Sequence, residues 1–199
     1  MDAPTFTTSP AGPEPPAVDA FLTAVDRAMN SNTLLLSAEC DVPVTAENEQ
    51  DVLHAFLRST AFEHLLCAAD ARRNWHNLAE PSDLPLLREG HLAILTPLTH
   101  AGLRTRLRWM LTEAPSPYGR HSSPADADRS VSAFTRALLG PNGPRWSCAA
   151  VTPDFLRSTG YRTDEVPRHP AYFDGGPSDT ATLIHRGHTL HLLLTNGSP

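Results

Sequence analysis

The chain has 199 residues, 40% of them hydrophobic, and a formal net charge of −6. Its length suits one domain of ordinary size, and its acidic balance argues against general binding to nucleic acid or anionic membranes. All sixteen basic residues are arginines; this excludes Schiff-base and P-loop lysine chemistry and is typical of a GC-rich bacterial genome.

The N-terminal segment 1–16 contains five prolines and two acidic residues. Little in it can pack, so we predict a disordered proline-rich tail followed by a single globular domain over 17–199. The segment lacks the basic and apolar regions of a signal peptide, and no apolar run approaches the roughly 20 residues that span a bilayer. We therefore expect a cytoplasmic protein.

The first regular element is a helix that ends near Asn30. Its apolar residues recur at helical spacing; they are Val18, Phe21, Leu22, Val25, Ala28 and Met29. The apolar run at 33–38 fits either a strand or the first turn of a helix, and a strand is favoured. Thr45 then resembles a helix N-cap, and residues 46–73 carry two apolar stripes that indicate two helices or one bent helix.

Two further helices are predicted from proline positions. Thr96-Pro97 resembles a cap followed by proline at the first helical position, with the helix continuing to about residue 113. Ser123-Pro124 begins the next helix in the same way, and Gly140-Pro141 ends it. The first 140 residues are therefore predicted to be mainly helical.

The chain changes character after residue 140. A short strand is predicted at 145–151, a brief helix from Thr152-Pro153 to Gly160, a long loop at 161–179, and a terminal hairpin. We therefore predict an α+β fold, with a mainly helical N-terminal two-thirds and a small antiparallel sheet of about three strands at the C-terminal end.

The hairpin carries three histidines, and its turn must contain Gly187, which tolerates a positive φ. With a type I′ turn at Arg186-Gly187, His185 faces His188, and the pair could bind a metal with a third ligand from elsewhere. With a type I turn and a bulge at Gly187, the two histidines separate. The bulge is favoured, because positive φ is costly at Arg186. His191 points to the opposite face in either register.

The loop at 164–176 supplies the other candidate residues. His169 and Asp174 could perform general acid–base chemistry if they met the hairpin histidines His185 and His188. An interpretation without a functional site is favoured, in which an ordinary surface loop lies beside a solvated turn. These residue types are common in both.

Cysteine and arginine side chains are weaker candidates. Cys40, Cys67 and Cys148 are widely spaced without a C-x-x-C motif, which suits a reducing compartment. Cys148 as a nucleophile would need a histidine to lower its pKa, so a buried structural thiol is favoured. Arg104 and Arg108 share a helix face; phosphate recognition is possible there, but a solvated face is favoured.

No dinucleotide-binding, P-loop, zincin or nucleophile-elbow signature occurs. We therefore predict a non-catalytic protein-binding module without a cofactor, monomeric or a small homo-oligomer, whose sheet edge could accept a strand of another protein. The alternative is a metal- or histidine-assisted hydrolase, with a divalent metal such as zinc, between the 164–176 loop and the hairpin. A third, weaker class is a small-molecule-binding regulator.

Overall fold

A computed structural model describes residues 3–8, 15–73, 92–140, 146–156, 172–173 and 176–197, with side chains to residue 69 in the second range. The elements in chain order are β1 Phe6–Thr7, α1 Pro16–Met29, β2 Ser31–Cys40, α2 Glu49–Leu57, α3 Thr60–Arg73, β3 Leu95–Leu98, α4 His100–Thr112, α5 Pro124–Leu139, β4 Ser147–Val151, a 3₁₀ helix Pro153–Phe155, β5 Thr180–Arg186 and β6 Thr189–Gly197. Among the described helices, none combines the length and apolarity needed to cross a membrane.

The described strands form one sheet in the order β1-β2-β6-β5-β4-β3, and every neighbouring pair is antiparallel. The longest pairing joins β2 to β6, from Ser31 opposite Gly197 to Glu39 opposite Thr189. A strand from the first quarter of the chain therefore lies inside the sheet, second from one edge, hydrogen-bonded to β6.

Helices cover both faces of this sheet. The run Leu34-Leu35-Leu36 shows why, since successive residues of a strand point to opposite faces. Leu34 and Leu36 pack with α2 and α3, whereas Leu35 packs with α1, α4 and α5. Burial on both faces explains why this segment is continuously apolar instead of alternating.

The predicted fold, mainly helical with about three strands, is wrong. Among the described residues there are five α-helices and one antiparallel sheet of six strands. Three of these, β1, β2 and β3, come from the N-terminal two-thirds that we predicted to be mainly helical. The coarser prediction, an α+β protein with a C-terminal hairpin, is confirmed.

The strand β1 lies inside the predicted disordered tail. Phe6 pairs with Cys40 and Thr7 with Glu39, and the ring of Phe6 lies 5.3 Å from that of Phe56. A two-residue strand has no detectable periodicity, so the sequence pattern could not reveal it. The division into a tail and one domain stays a prediction.

Two predicted helix starts are wrong. The N-cap of α4 is Thr99, whose Oγ1 accepts a hydrogen bond of 2.9 Å from the N–H of Gly102. Pro97 instead lies in β3 at the edge of the sheet, where a residue without an N–H is tolerated. The helix expected from Thr45 begins only at Glu49, because residues 46–48 form a turn.

Other predicted boundaries agree with the structure. The segment 33–38 lies in a strand, and 46–73 contains two helices. Ser123 caps α5, with its Oγ accepting from the N–H of Asp126 at 3.2 Å, and Gly140 ends α5 with a φ of 76°. The helix expected at 152–160 is a 3₁₀ turn over Pro153–Phe155, and 157–160 lies outside the described residues.

The hairpin has neither of the two predicted turns. Arg186 pairs with Thr189 and His185 with Leu190, so Gly187 and His188 form a two-residue turn. Gly187 has a φ of 58°, whereas His188 has an ordinary negative φ. This is the type II′ pattern, which places glycine first and leaves Arg186 in the strand without strain.

We expect Gly187→Ala to lower the free energy of unfolding by about 1–2 kcal/mol, because a Cβ is unfavourable at positive φ. No atom lies within 4 Å of the position of that Cβ, so the loss would come from the backbone alone. Gly187→Asn should lose less, since asparagine adopts this conformation more readily. Urea denaturation measures both; an alanine variant as stable as the parent would contradict the assigned turn.

Candidate functional site

His185 is part of a buried pair with Glu49. On β5 it stands opposite Leu190, on the sheet face that α2 and α3 cover. Its Nε2 lies 2.9 Å from Oε2 of Glu49, and the whole residue is 2% exposed. Glu49 is the first residue of α2, where the helix dipole favours an acid. The pair therefore fixes the start of α2 to the sheet.

The other two hairpin histidines have separate partners. His188 lies in the turn, and its Nδ1–H donates to the carbonyl oxygen of Cys40 at 2.9 Å. The Nδ1 of His191 lies 2.8 Å from the hydroxyl of Ser37, on the other face of the sheet. The paired arrangement that would have suited a metal is thus absent from the hairpin.

No group of three or more His, Cys, Asp or Glu side chains that could hold a metal occurs among the residues that the structure describes. His169 and Asp174, the candidate catalytic residues of the loop, lie outside those residues. Their approach to His185 and His188 therefore stays a prediction.

Burial shifts the pKa values of two groups away from neutrality. Desolvation lowers the pKa of His191 to about 4, against a smaller opposing effect of Glu39. Desolvation also raises the pKa of Cys148 to about 11, with the charge of Glu49 adding to the rise. A general base and a thiolate nucleophile both work best with a pKa near the operating pH. Both groups are thus uncharged at pH 7, and Cys148 is buried as predicted.

An open cleft of about 290 Å³ lies between α4 and α5; its lining residues are Arg104, Ser132, Thr135, Arg136, Leu139, Gly140 and Trp146. We call it the α4–α5 cleft. Arg104 crosses from α4 and donates from Nη2 to Oγ of Ser132 at 2.9 Å. Ser132 and Arg136 are four residues apart on α5 and therefore share a face.

Trp146, the residue before β4, also lines the α4–α5 cleft. The ring of Trp146 stacks on the imidazole of His100, with centroids 3.8 Å apart. The Nε2–H of His100 donates to the carbonyl oxygen of Trp146 at 2.9 Å. These contacts attach the first turn of α4 to the sheet and fix the position of Trp146 beside the α4–α5 cleft.

The arginines of the α4–α5 cleft lack acidic partners within the described part of the chain. No carboxylate lines the cleft, and the ion pairs on these helices join Arg108 to Asp128 and Arg129 to Asp126. A guanidinium can bind a carboxylate or a phosphate through charge-assisted hydrogen bonds. Chemically, the α4–α5 cleft is thus suited to an anion.

Of the residues that line this cleft, the sequence singles out only Arg104. Arg104 was noted on a helix face, but nothing in the sequence connects it with Arg136 or Trp146. Those residues follow it by 32 and 42 positions, and only the packing of α5 and β4 against α4 brings them together. The one local signal was the four-residue spacing of Ser132 and Arg136 on a predicted helix.

The edge strand β3 is poorly suited to accept a partner strand. The backbone groups of Leu95 and Pro97 point away from β4. The N–H of Leu95 already donates to Oε1 of Gln50 at 3.1 Å, and Pro97 has no N–H. An added strand would find no free donor at either residue of this edge. Strand addition by another protein elsewhere on the sheet stays a prediction.

We expect Glu49→Ala to lower the free energy of unfolding by about 1–3 kcal/mol, because it leaves the imidazole of His185 buried without its partner. Asp51→Ala is the matched control, since Asp51 is an exposed acid of the same first turn and also interacts with the helix dipole. Denaturant titration of both variants, of His185→Ala and of the double variant Glu49→Ala/His185→Ala measures the coupling between the two side chains. Additive effects would contradict the pair.

The lowered pKa of His191 predicts a pH-dependent stability. Unfolding restores its ordinary pKa of about 6.5, so the unfolded chain binds a proton more readily than the folded one. The contribution of neutral His191 to the free energy of unfolding is complete above pH 6.5. It falls by about 1–3 kcal/mol as the pH is lowered towards 4. His191→Gln, which does not titrate, should lose less stability over this range in urea titrations. Parallel pH curves would refute the assignment.

Comparison with protein-family models, with curated proteins and with solved structures finds no match to this chain. What the α4–α5 cleft and the hairpin histidines can bind must therefore be inferred from their own charges, contacts and burial.

Proposed function

We propose that the protein is a non-catalytic binding module that recognises an acidic segment of a partner protein in the α4–α5 cleft. The observation that carries this proposal is the pair Arg104 and Arg136. Both residues line one open cleft, and among the residues that the structure describes no acidic residue lines it, although the chain contains 22 acidic residues. An arrangement that gathers positive charge against an overall negative balance is complementary to a negatively charged partner.

A third arginine extends the positive surface. Nη1 of Arg186, on β5, lies 3.5 Å from the carbonyl oxygen of Leu139, at the end of the α4–α5 cleft. At physiological ionic strength charges act over only about 8 Å. The nearby arginines therefore dominate the potential that a bound segment would experience, whereas most of the acidic surface is screened.

The buried titratable groups favour binding over catalysis. One contact supports the alternative, a histidine-assisted hydrolase. Glu49 contacts the imidazole of His185, as an acid contacts the histidine of a catalytic triad. However, His185 is 2% exposed, so a substrate could reach its ring only if α2 moved. The accessible chemistry of the described residues lies instead at the arginine-lined α4–α5 cleft.

We expect a short fluorescent peptide rich in glutamate to bind the full chain, with an affinity that falls as salt is added. Arg104→Gln and Arg136→Gln should each weaken binding about five- to tenfold, since each removes one charge-assisted contact. Fluorescence anisotropy measures the affinities.

The control is Arg120→Gln, which removes the same charge from an exposed arginine outside the α4–α5 cleft. It should leave the affinity nearly unchanged. The absence of peptide binding, or an equal loss in all three variants, would show that the cleft is not the binding site.

A further inference from the structure

We infer that the group recognised in the α4–α5 cleft is a phosphate monoester on a phosphorylated side chain of the partner, rather than a carboxylate. This inference rests on the proposed function and specifies its ligand. It follows from the number of donors in the cleft, from their charge, and from the shape of the space around them.

Three separate donor groups face the α4–α5 cleft. Within the described part of the chain, Arg104 donates only through Nη2, to Ser132, which leaves its other N–H groups to a ligand. Because Ser132 accepts that bond, its own hydroxyl hydrogen is available to a ligand. Arg136 lines the same space. A phosphate monoester presents three strongly accepting oxygens, against two for a carboxylate, so it can engage all three groups at once.

The neighbouring hydroxyl plays a different part. Thr135 donates from Oγ1 to the carbonyl oxygen of Val131 at 2.8 Å, so its hydrogen is already used within α5. It shapes the wall of the α4–α5 cleft without adding a donor. The donors therefore come from Arg104, from Ser132 about two turns before the end of α5, and from Arg136 in the last turn of α5.

Charge also favours the doubly negative ligand. Two guanidinium groups carry a charge of +2, and a phosphorylated side chain carries about −1.5 to −2 at pH 7. A single carboxylate would leave one arginine unneutralised, since no acidic residue of the described part of the chain lines the cleft. The full charge of Arg104 and Arg136 is matched only by a dianion or by two carboxylates held close together.

The C-terminal end of α5 opposes an anion, because its last carbonyl groups carry partial negative charge. Two features reduce this effect. Arg186 approaches the carbonyl oxygen of Leu139, and the N–H of Gly140 donates to that of Arg136 at 2.9 Å. The favoured position for the phosphate is therefore beside Arg104 and Ser132, about two turns before the helix end.

The shape of the α4–α5 cleft favours an ester over free phosphate. Its volume of about 290 Å³ leaves space beyond a phosphoryl group. The lining also includes Leu139 and Trp146, whose apolar atoms can contact the carbon stem of a phosphorylated side chain. An inorganic ion would leave those walls without contacts.

The test uses three pools of short peptides with degenerate flanks and one fixed central residue: phosphoserine, glutamate or serine. Binding of each pool to the full chain is measured by fluorescence anisotropy. We expect the phosphoserine pool to bind about tenfold or more tightly than the glutamate pool, and the serine pool to bind least. Arg104→Gln, Arg136→Gln and Ser132→Ala should each reduce the preference for phosphoserine, whereas Arg120→Gln should retain it.

Each other outcome has a definite meaning. Equal affinity for phosphoserine and glutamate would overturn this inference and leave the proposed function intact, whereas binding of neither pool would overturn both. Phenyl phosphate that binds as tightly as the phosphoserine pool would overturn the assignment to a partner protein. Thermal unfolding of each variant shows whether it is folded, and Ser132→Ala tests the α4–α5 cleft without removing a charge.

Discussion

The pairing of β2 with β6 is the constraint on which the rest of the molecule depends. It joins residues separated by 150 positions or more, from Ser31 opposite Gly197 to Glu39 opposite Thr189. Since both strands lie inside the sheet, their side chains enter both hydrophobic cores. Neither helical layer could bury its apolar face without this ladder, so the two ends of the chain must meet before either core is complete.

Polar contacts fix the register at both ends of this ladder. At one end, the N–H of Asn32 donates to Oδ1 of Asn196 at 2.7 Å, and the N–H of Thr33 donates to Oδ1 of Asp26 at 2.7 Å. At the other, Thr189 donates from Oγ1 to Glu39 at 2.7 Å. A slip of β6 by one residue against β2 would break the bonds of Asn196 and Thr189 and turn the side chains of β6 to the opposite faces.

The helices with one buried face were predictable, and the sheet was not. The stripe of α1 was read correctly, because a surface helix alternates apolar and polar residues with a period of 3.6. β2 is buried on both faces and loses the period of two that identifies a strand. β3 contains Pro97, which sequence rules associate with a helix start as readily as with an edge strand.

The candidate site was harder to predict, for a related reason. The clustered histidines His185, His188 and His191 were conspicuous because they are close in sequence, yet the turn and the alternation of the strand direct them to Glu49, Cys40 and Ser37. Arg104 and Arg136 are distant in sequence and meet only through the packing of α4 on α5. Nearness in sequence therefore drew attention to the histidines, whereas the distance between Arg104 and Arg136 in sequence concealed the α4–α5 cleft.

The overall charge and the α4–α5 cleft act on a partner at different distances. Far from the surface, a net charge of −6 repels any acidic partner, but salt screens this repulsion beyond about 8 Å. Near the α4–α5 cleft, Arg104 and Arg136 attract. A partner whose acidic residues are spread over its surface gains little binding free energy from two neighbouring guanidinium groups. A compact anion can contact both of them. Specificity depends on how poorly competing partners bind as well as on how tightly the ligand binds. Long-range repulsion combined with one local attraction thus favours a partner that concentrates its negative charge in one group.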